Sequence, residues 1–424
     1  MSKHAYLFII RSYNDIDHMT PLIDRMASDD RYNVTLLSSN SLILLSDNEN
    51  LSYLKRNYNL DAKYLLSDLK LPFLGRMANK LLGMIYFRTL EIVLPERLRW
   101  IVDKIISLLQ RYIVYLQINS KETWAKNIVD EVKPNIVLFD MTYPGIFPNK
   151  PLIDAAKSNN IPVVALPHGL NIWTNIDHTL SDNKKRGSLH DGLDFAVSQG
   201  VLATKHLKVE GWPDDKIVEI GSMRFSKEWL EKCEKVFIRK TIKEKSSDKI
   251  KIVLFLSKGK YRANINELKM FITFIANEDD VQLIIKPHTR GMKLDSIKSI
   301  LKKNNVIVAY SASSVELSKW CDIAVVYGSS IGLQILADNK ILVYPSKLDE
   351  NKSVFEKHAA ACIVNNLKDM QALLDKYREG SETCCYTKES VNNLFEEIVY
   401  AGDLHRNVIE QQLDFLEKVV DGVV

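Results

Sequence analysis

Apolar residues fall into short continuous runs at 5–10, 34–37, 135–140, 161–166, 194–198 and 216–220, and again at 250–256, 281–285, 306–309, 323–326, 341–344 and 361–364. Runs of this length without polar alternation mark strands buried on both faces, as in a parallel sheet. Between them apolar residues recur three and four apart, which predicts helices. Strand and helix alternate in both sets, so an α/β protein with two parallel sheets is expected. The sets are separated by a charged helix and linker over 228–248, rich in Lys and Glu and without strand pattern, and a domain boundary is expected there. The predicted division is an N-terminal domain over 1–235, a C-terminal domain over 249–400, and a last segment, 401–424, whose helix can pack back on the N-terminal domain.

One stretch breaks the alternation. Residues 69–120 place Met77, Leu81, Leu82 and Ile85, then Ile105, Leu108, Leu109, Tyr112 and Leu116, at helical spacing, which predicts a helical insertion in the first domain. Between 69 and 118 lie eight basic residues against three acidic ones, a larger excess than the formal +4 of all 424 residues. Phe73, Phe87, Trp100 and Tyr115 interleave with them. Two readings stay open for this insertion: packing on the domain, or lying on an anionic membrane surface. No run of about 18 uncharged apolar residues occurs, and the N-terminus enters a strand without a signal-peptide pattern, so a cytoplasmic protein is expected, peripheral on the inner face of the membrane if the second of these readings holds. The five cysteines follow no disulfide or metal spacing, which fits a reducing compartment.

Candidate chemistry gathers where strands end, because the carboxyl ends of parallel strands face the ligand crevice. After 5–10 come Arg11, Asp15, Asp17 and His18, with a helix expected from Thr20-Pro21. After 161–166 comes His168-Gly169, an imidazole beside a residue that lets backbone approach a ligand. Asp15, Asp17 and His168 are therefore three open candidates for a general base, and Arg11, His18 and Gly169 are expected on the acceptor side. In the second half, 250–256 leads into Lys258, Lys260 and Arg262. The run 281–285 leads into Lys286-Pro287-His288-Thr289-Arg290, and 323–326 into Gly328-Ser329-Ser330 at a helix start. Cations and a helix N-terminus suit a departing phosphate, so these residues are expected to bind the donor, with His288 also a catalytic candidate. No Asp-x-Asp follows a strand in that half, and no basic helix stripe or aromatic ribonucleoprotein motif stands out. No metal, no cofactor and no nucleic-acid partner are expected.

Two Rossmann-like halves joined by a charged linker, with a returning C-terminal helix, resemble the GT-B architecture of glycosyltransferases and their sugar epimerase relatives, with a cleft between the domains. Ile9-Ile10-Arg11, Thr20-Pro21-Leu22-Ile23, Lys133 to Val137, Gly169-Leu170 and the turn from Gly328 to Gln334 are similar, in order, to segments of UDP-N-acetylglucosamine 2-epimerases. The chain departs from them at Pro167-His168, where they carry Glu, and after Gln334, where Ile335-Leu336 replaces the acidic pair that holds ribose, and these departures weigh against epimerase chemistry. It also resembles bacterial capsule and O-antigen type transferases, among them Kdo and sialic acid transferases and teichoic acid polymerases, through His168-Gly169, Lys286-Pro287-His288 and Ser329-Ser330. Thr289 stands where those usually carry Pro. This second resemblance implies a metal-independent, inverting glycosyltransferase of surface polysaccharide or lipopolysaccharide assembly. Its donor would be a CMP-sugar, another nucleotide sugar or phosphoribosyl diphosphate, and its acceptor a glycan or lipid-linked glycan. The alternatives are a sugar-nucleotide 2-epimerase or hydrolase and a CDP-polyol phosphotransferase.

If 69–118 meets an anionic membrane, the protein co-sediments with anionic vesicles. Binding then falls with salt and with charge reversal at Arg97 and Arg99. Absent or salt-insensitive binding rejects the membrane reading.

Overall fold

The computed structural model describes residues 4–40, 45–46, 48–65, 123–141, 149–175, 190–237, 248–256, 264–288, 300–310, 312–348, 351–381 and 384–424, with 43, 77, 105 and 108 as isolated positions. The proposed insertion therefore lies outside the described residues except for Met77, Ile105 and Leu108, whose side chains are exposed.

The first sheet contains β1 (His4–Ile10), β2 (Tyr32–Ser38), β3 (Ala62–Tyr64), β4 (Ile136–Asp140), β5 (Val163–Leu166), β6 (Phe195–Ser198) and β7 (Ile217–Glu219). Their order is β3-β2-β1-β4-β5-β6-β7 and every pairing is parallel. Side chains of β1 alternate between two cores, as strand pleating requires. Tyr6, Phe8 and Ile10 pack with Met19, Leu22 and Met26 of helix Tyr13–Ala27. Leu7 and Ile9 pack with Trp124 and Val129 of helix Thr123–Val132 on the other face.

The second sheet contains β8 (Ile250–Phe255), β9 (Val281–Lys286), β10 (Val306–Val308), β11 (Ile323–Val326), β12 (Ile341–Pro345) and β13 (Cys362–Val364). Its order is β10-β9-β8-β11-β12-β13, again all parallel. Two parallel sheets, of seven and six strands, are the architecture that the apolar runs predict.

Two local features differ from the sequence expectation. The first helix begins at Tyr13, not near Thr20-Pro21. Ser12 and Asp15 form a capping box that starts it, and Pro21 sits inside, where the Thr20 hydroxyl bonds the Ile16 carbonyl at 2.5 Å. Strand β3 escapes the apolar pattern because it is a short, half-exposed edge. The charged stretch after 226 does form the expected helix, Lys227–Phe237, with Trp229, Leu230, Cys233 and Phe237 buried; residues 238–247 lie outside the described set.

The halves are joined in several places. Helix Val408–Val420 returns to the first half, where Glu410 meets Arg25 at 2.5 Å and Glu417 meets Arg31 at 3.3 Å and the Tyr32 hydroxyl. Trp173 and Ser353 form an antiparallel bridge, flanked by Thr174 N–H to the Lys352 carbonyl at 2.9 Å and Val354 N–H to the Ile172 carbonyl at 2.8 Å. Among the described residues no helix is long and apolar enough to cross a membrane. Ser222 N–H donates to the Val399 carbonyl at 2.7 Å, and Gly221 permits that approach with φ of +129°. A methyl group at Gly221 would lie 2.5 Å from the Val399 oxygen. Gly221→Ala is therefore expected to destabilise the protein by about 1–3 kcal/mol, read from the midpoint of chemical denaturation.

Candidate functional site

Strands β1, β4 and β5 are neighbours, and their register sets Ile9 level with Phe139 and Asp140 level with Leu166. Arg11, Asp140 and His168 consequently emerge side by side at the carboxyl edge. The chain turns from β1 to β2 on one side and β4 lies on the other, so this is the topological switch point of the sheet. Asp15 joins them from the first turn of helix Tyr13–Ala27.

The four side chains form one charge cluster, with the carboxylates buried and Arg11 and His168 partly exposed. Asp15 is fully buried and Asp140 nearly so. Asp15 accepts from the Arg11 N–H at 2.7 Å, the Ser12 N–H at 2.8 Å and the Ser12 hydroxyl at 2.9 Å. Arg11 donates to Asp140 through Nη2 at 2.7 Å and Nε at 3.1 Å. His168 Nδ1 lies against Asp15 Oδ1 and 2.9 Å from Asp140 Oδ2. Its Nε2 has no hydrogen-bond partner among the described residues, and its side chain is 32% exposed.

Burial opposes a proton on His168, yet the hydrogen bonds and charges of Asp140 and Asp15 outweigh it and lift the imidazole to about 9. Burial pushes Asp15 up, whereas for Asp140 the bonds to His168 and Arg11 overcome burial and bring it down to about 2. The donor atoms of Asp15, Asp140 and His168 lie within 4.8 Å of one another, a set that can ligate a divalent cation. Arg11 and protonated His168 offset the negative charge of the carboxylate pair, while burial favours the protonated form of Asp15.

Asp17, two residues beyond Asp15, faces elsewhere, because i and i+2 do not share a helix face. It accepts from Arg224 Nε at 2.7 Å and lines a cavity of about 490 Å³ between the halves. His18 corrects an expectation: it is buried against Gln199 and the Phe225 ring rather than facing an acceptor, and burial lowers it to about 4. Gly169 packs near the Asn14 carboxamide.

In the second half Lys286 lines the same cavity, but its ammonium is held by the carbonyls of Tyr310 at 3.0 Å and Ala312 at 2.7 Å. Two of its three N–H donors are thereby taken up by backbone carbonyls. His288 is half-buried just beyond β9. Gly328 has φ of +61°, Ser329 Oγ accepts from Ile331 N–H at 3.4 Å, and Ser330 begins helix Ile331–Ala337 without a side-chain cap bond. Lys258, Lys260, Arg262 and Arg290 lie outside the described residues. Asp140 and Arg224 were not among the sequence candidates. The signal for Asp140 was a carboxylate closing an apolar run, the same strand-end rule that selected His168; Arg224 had no comparable signal.

Two Rossmann-like units with parallel sheets, and a polar cluster at the switch point of the first, define a GT-B-like fold. No protein-family model and no curated protein matches the chain. Solved structures do. The UDP-N-acetylglucosamine 2-epimerase of Neisseria meningitidis bound to UDP-GlcNAc aligns over 98% of this chain and 100% of its own, with a TM-score of 0.59 and 14% identity. The Rickettsia bellii enzyme of that name aligns over 100% and 98%, with a TM-score of 0.58 and 12% identity. Anabaena HepE in complex with UDP-glucose aligns over 98% and 99%, with a TM-score of 0.53 and 10% identity. The likeness is one of fold across the whole chain.

The His168 pairing makes stability depend on pH. A folded-state value of about 9, above the ordinary 6.5, means the stabilisation is fully present below 6.5 and disappears as pH rises through 9. Between pH 6 and 10, the stability gap between wild type and His168→Gln is expected to be largest at the acid end and to close at the alkaline end. Parallel urea curves check it, and a pH-independent gap rejects the ion-paired imidazole.

Proposed function

We propose that the protein is an enzyme acting on a nucleotide sugar, with sugar-nucleotide 2-epimerisation or hydrolysis as its reaction class. The whole-length likeness to UDP-N-acetylglucosamine 2-epimerases carries this reading. His168 is the acid–base group, since Asp15 is buried beneath it and Asp17 is held by Arg224. Protonated at neutral pH, it acts first as an acid toward the substrate and becomes a base only after giving up that proton. Asp15 and Asp140 orient the ring through Nδ1 and leave Nε2 for the substrate. Arg11 and Gly169 flank it, while Gly328, Ser329 and Ser330, with His288, Lys258, Lys260, Arg262 and Arg290, supply the donor-phosphate side. The reaction as proposed needs no added metal, because these cations supply the charge that offsets the leaving phosphate.

Transfer of the sugar to a glycan or lipid-linked acceptor is the second reading, and one observation favours it. Gln334 is buried, bonds Asp338 at 3.3 Å, and is followed by buried Ile335 and Leu336, so this turn presents no acidic clamp for a ribose.

Incubation in D2O with UDP-, CMP-, GDP- and CDP-activated donors, with and without a glycan acceptor, separates the two. Deuterium at C2, or free nucleotide released without acceptor, supports the first reading. Product formed only with acceptor and without C2 exchange supports the second, and no turnover of any donor rejects both. In either case His168→Ala is expected to lower kcat by about 10²–10⁴-fold, and undiminished turnover would remove His168 from the chemistry.

A further inference from the structure

The cavity of about 490 Å³ between the halves is lined by none of Asp15, Asp140 or His168. The first half contributes Tyr13, Asp17, Glu49 and Arg224 to its wall, and the second half contributes Lys286 and Tyr310. Arg224 is 5% exposed, and its guanidinium lies 5.0 Å over the Phe225 ring. Asp17 takes its Nε at 2.7 Å, but its buried Nη1 has no hydrogen-bond partner among the described residues. That Nη1 is itself closed to solvent, so an incoming oxygen meets instead the part of the guanidinium that lines the cavity.

The charge balance selects the kind of oxygen. Arg224 and Lys286 are matched by Asp17 and Glu49, so a diphosphate would enter against two carboxylates. A neutral ring of hydroxyls avoids that repulsion, because each hydroxyl can accept from Arg224 or donate to a carboxylate. Tyr310, 70% exposed, adds an open aromatic face for the apolar side of a sugar ring.

We propose that this cavity is a subsite for a neutral saccharide, held by Arg224 and Asp17 and stacked on Tyr310. It deepens the nucleotide-sugar reading, on which it rests, by giving the cleft a second sugar position apart from His168. Saturation-transfer difference NMR on the full chain tests it, using methyl glycosides of glucose, galactose and N-acetylglucosamine as one probe set and UDP as the other. At least one glycoside is expected to give signal, falling at least fivefold in Tyr310→Ala and in Arg224→Lys, while the UDP signal stays within twofold of wild type. Tyr310→Ala trims an exposed side chain, which keeps the test valid if Arg224→Lys disturbs folding. No glycoside signal, a glycoside signal unchanged in Tyr310→Ala, or a UDP signal that falls in step overturns the proposal. Nucleotide-sugar turnover in the same samples tests the activity separately. Turnover without glycoside binding rejects the subsite alone, and glycoside binding without turnover rejects the activity alone.

Discussion

Two carboxylates, Asp15 and Asp140, sit almost without solvent at the carboxyl edge of a parallel sheet, and much of the first half is arranged to make that tolerable. An unpaired buried carboxylate would either protonate or unfold its surroundings. Arg11 and His168 offset that cost, and they come from the ends of the two strands that flank β4. The loop after β1, the last residue of β4 and the loop after β5 thereby become one electrostatic unit. Arg11 and His168 both reach solvent while the two carboxylates do not, so charge compensation brings a guanidinium and an imidazole together where a ligand can meet them.

That unit is tied to the other half. Four and more residues beyond His168, the backbone of Ile172 and Thr174 exchanges hydrogen bonds with Val354 and Lys352. A change in cleft width therefore acts on the segment that carries the imidazole. The return of helix Val408–Val420 to Arg25, Arg31 and Tyr32 holds the opposite side. Its ion pairs are partly exposed and individually weak, so the apolar face with Leu413, Leu416 and Val419 does most of the anchoring.

The strands were legible because burial on both faces leaves an uninterrupted apolar run, and β3 was not because a half-exposed edge needs none. The start of the first helix was misplaced because Pro21 is a stronger punctuation mark than the Ser12 and Asp15 pair that caps it. That error matters for the site. It turned helical residues into loop residues, so Asp15, Asp17 and His18 looked equally available, whereas the helix sends them to three different environments. Lys286 shows the same limit, since nothing local marks its amine as belonging to the Tyr310 and Ala312 carbonyls.

Taken by itself, the sequence determined the periodicity of the elements, hence two parallel sheets, and the strand ends at which polar chemistry must lie. Those are local properties, set by which side chains a strand or helix can bury. Tertiary structure alone decided that Arg11, Asp15, Asp140 and His168 meet, that His18 turns inward, and that Arg224 closes on Asp17 beside the cleft. Charge interactions depend on separation and burial rather than on position along the chain, and Arg11 and Asp15 lie more than a hundred residues from Asp140 and His168.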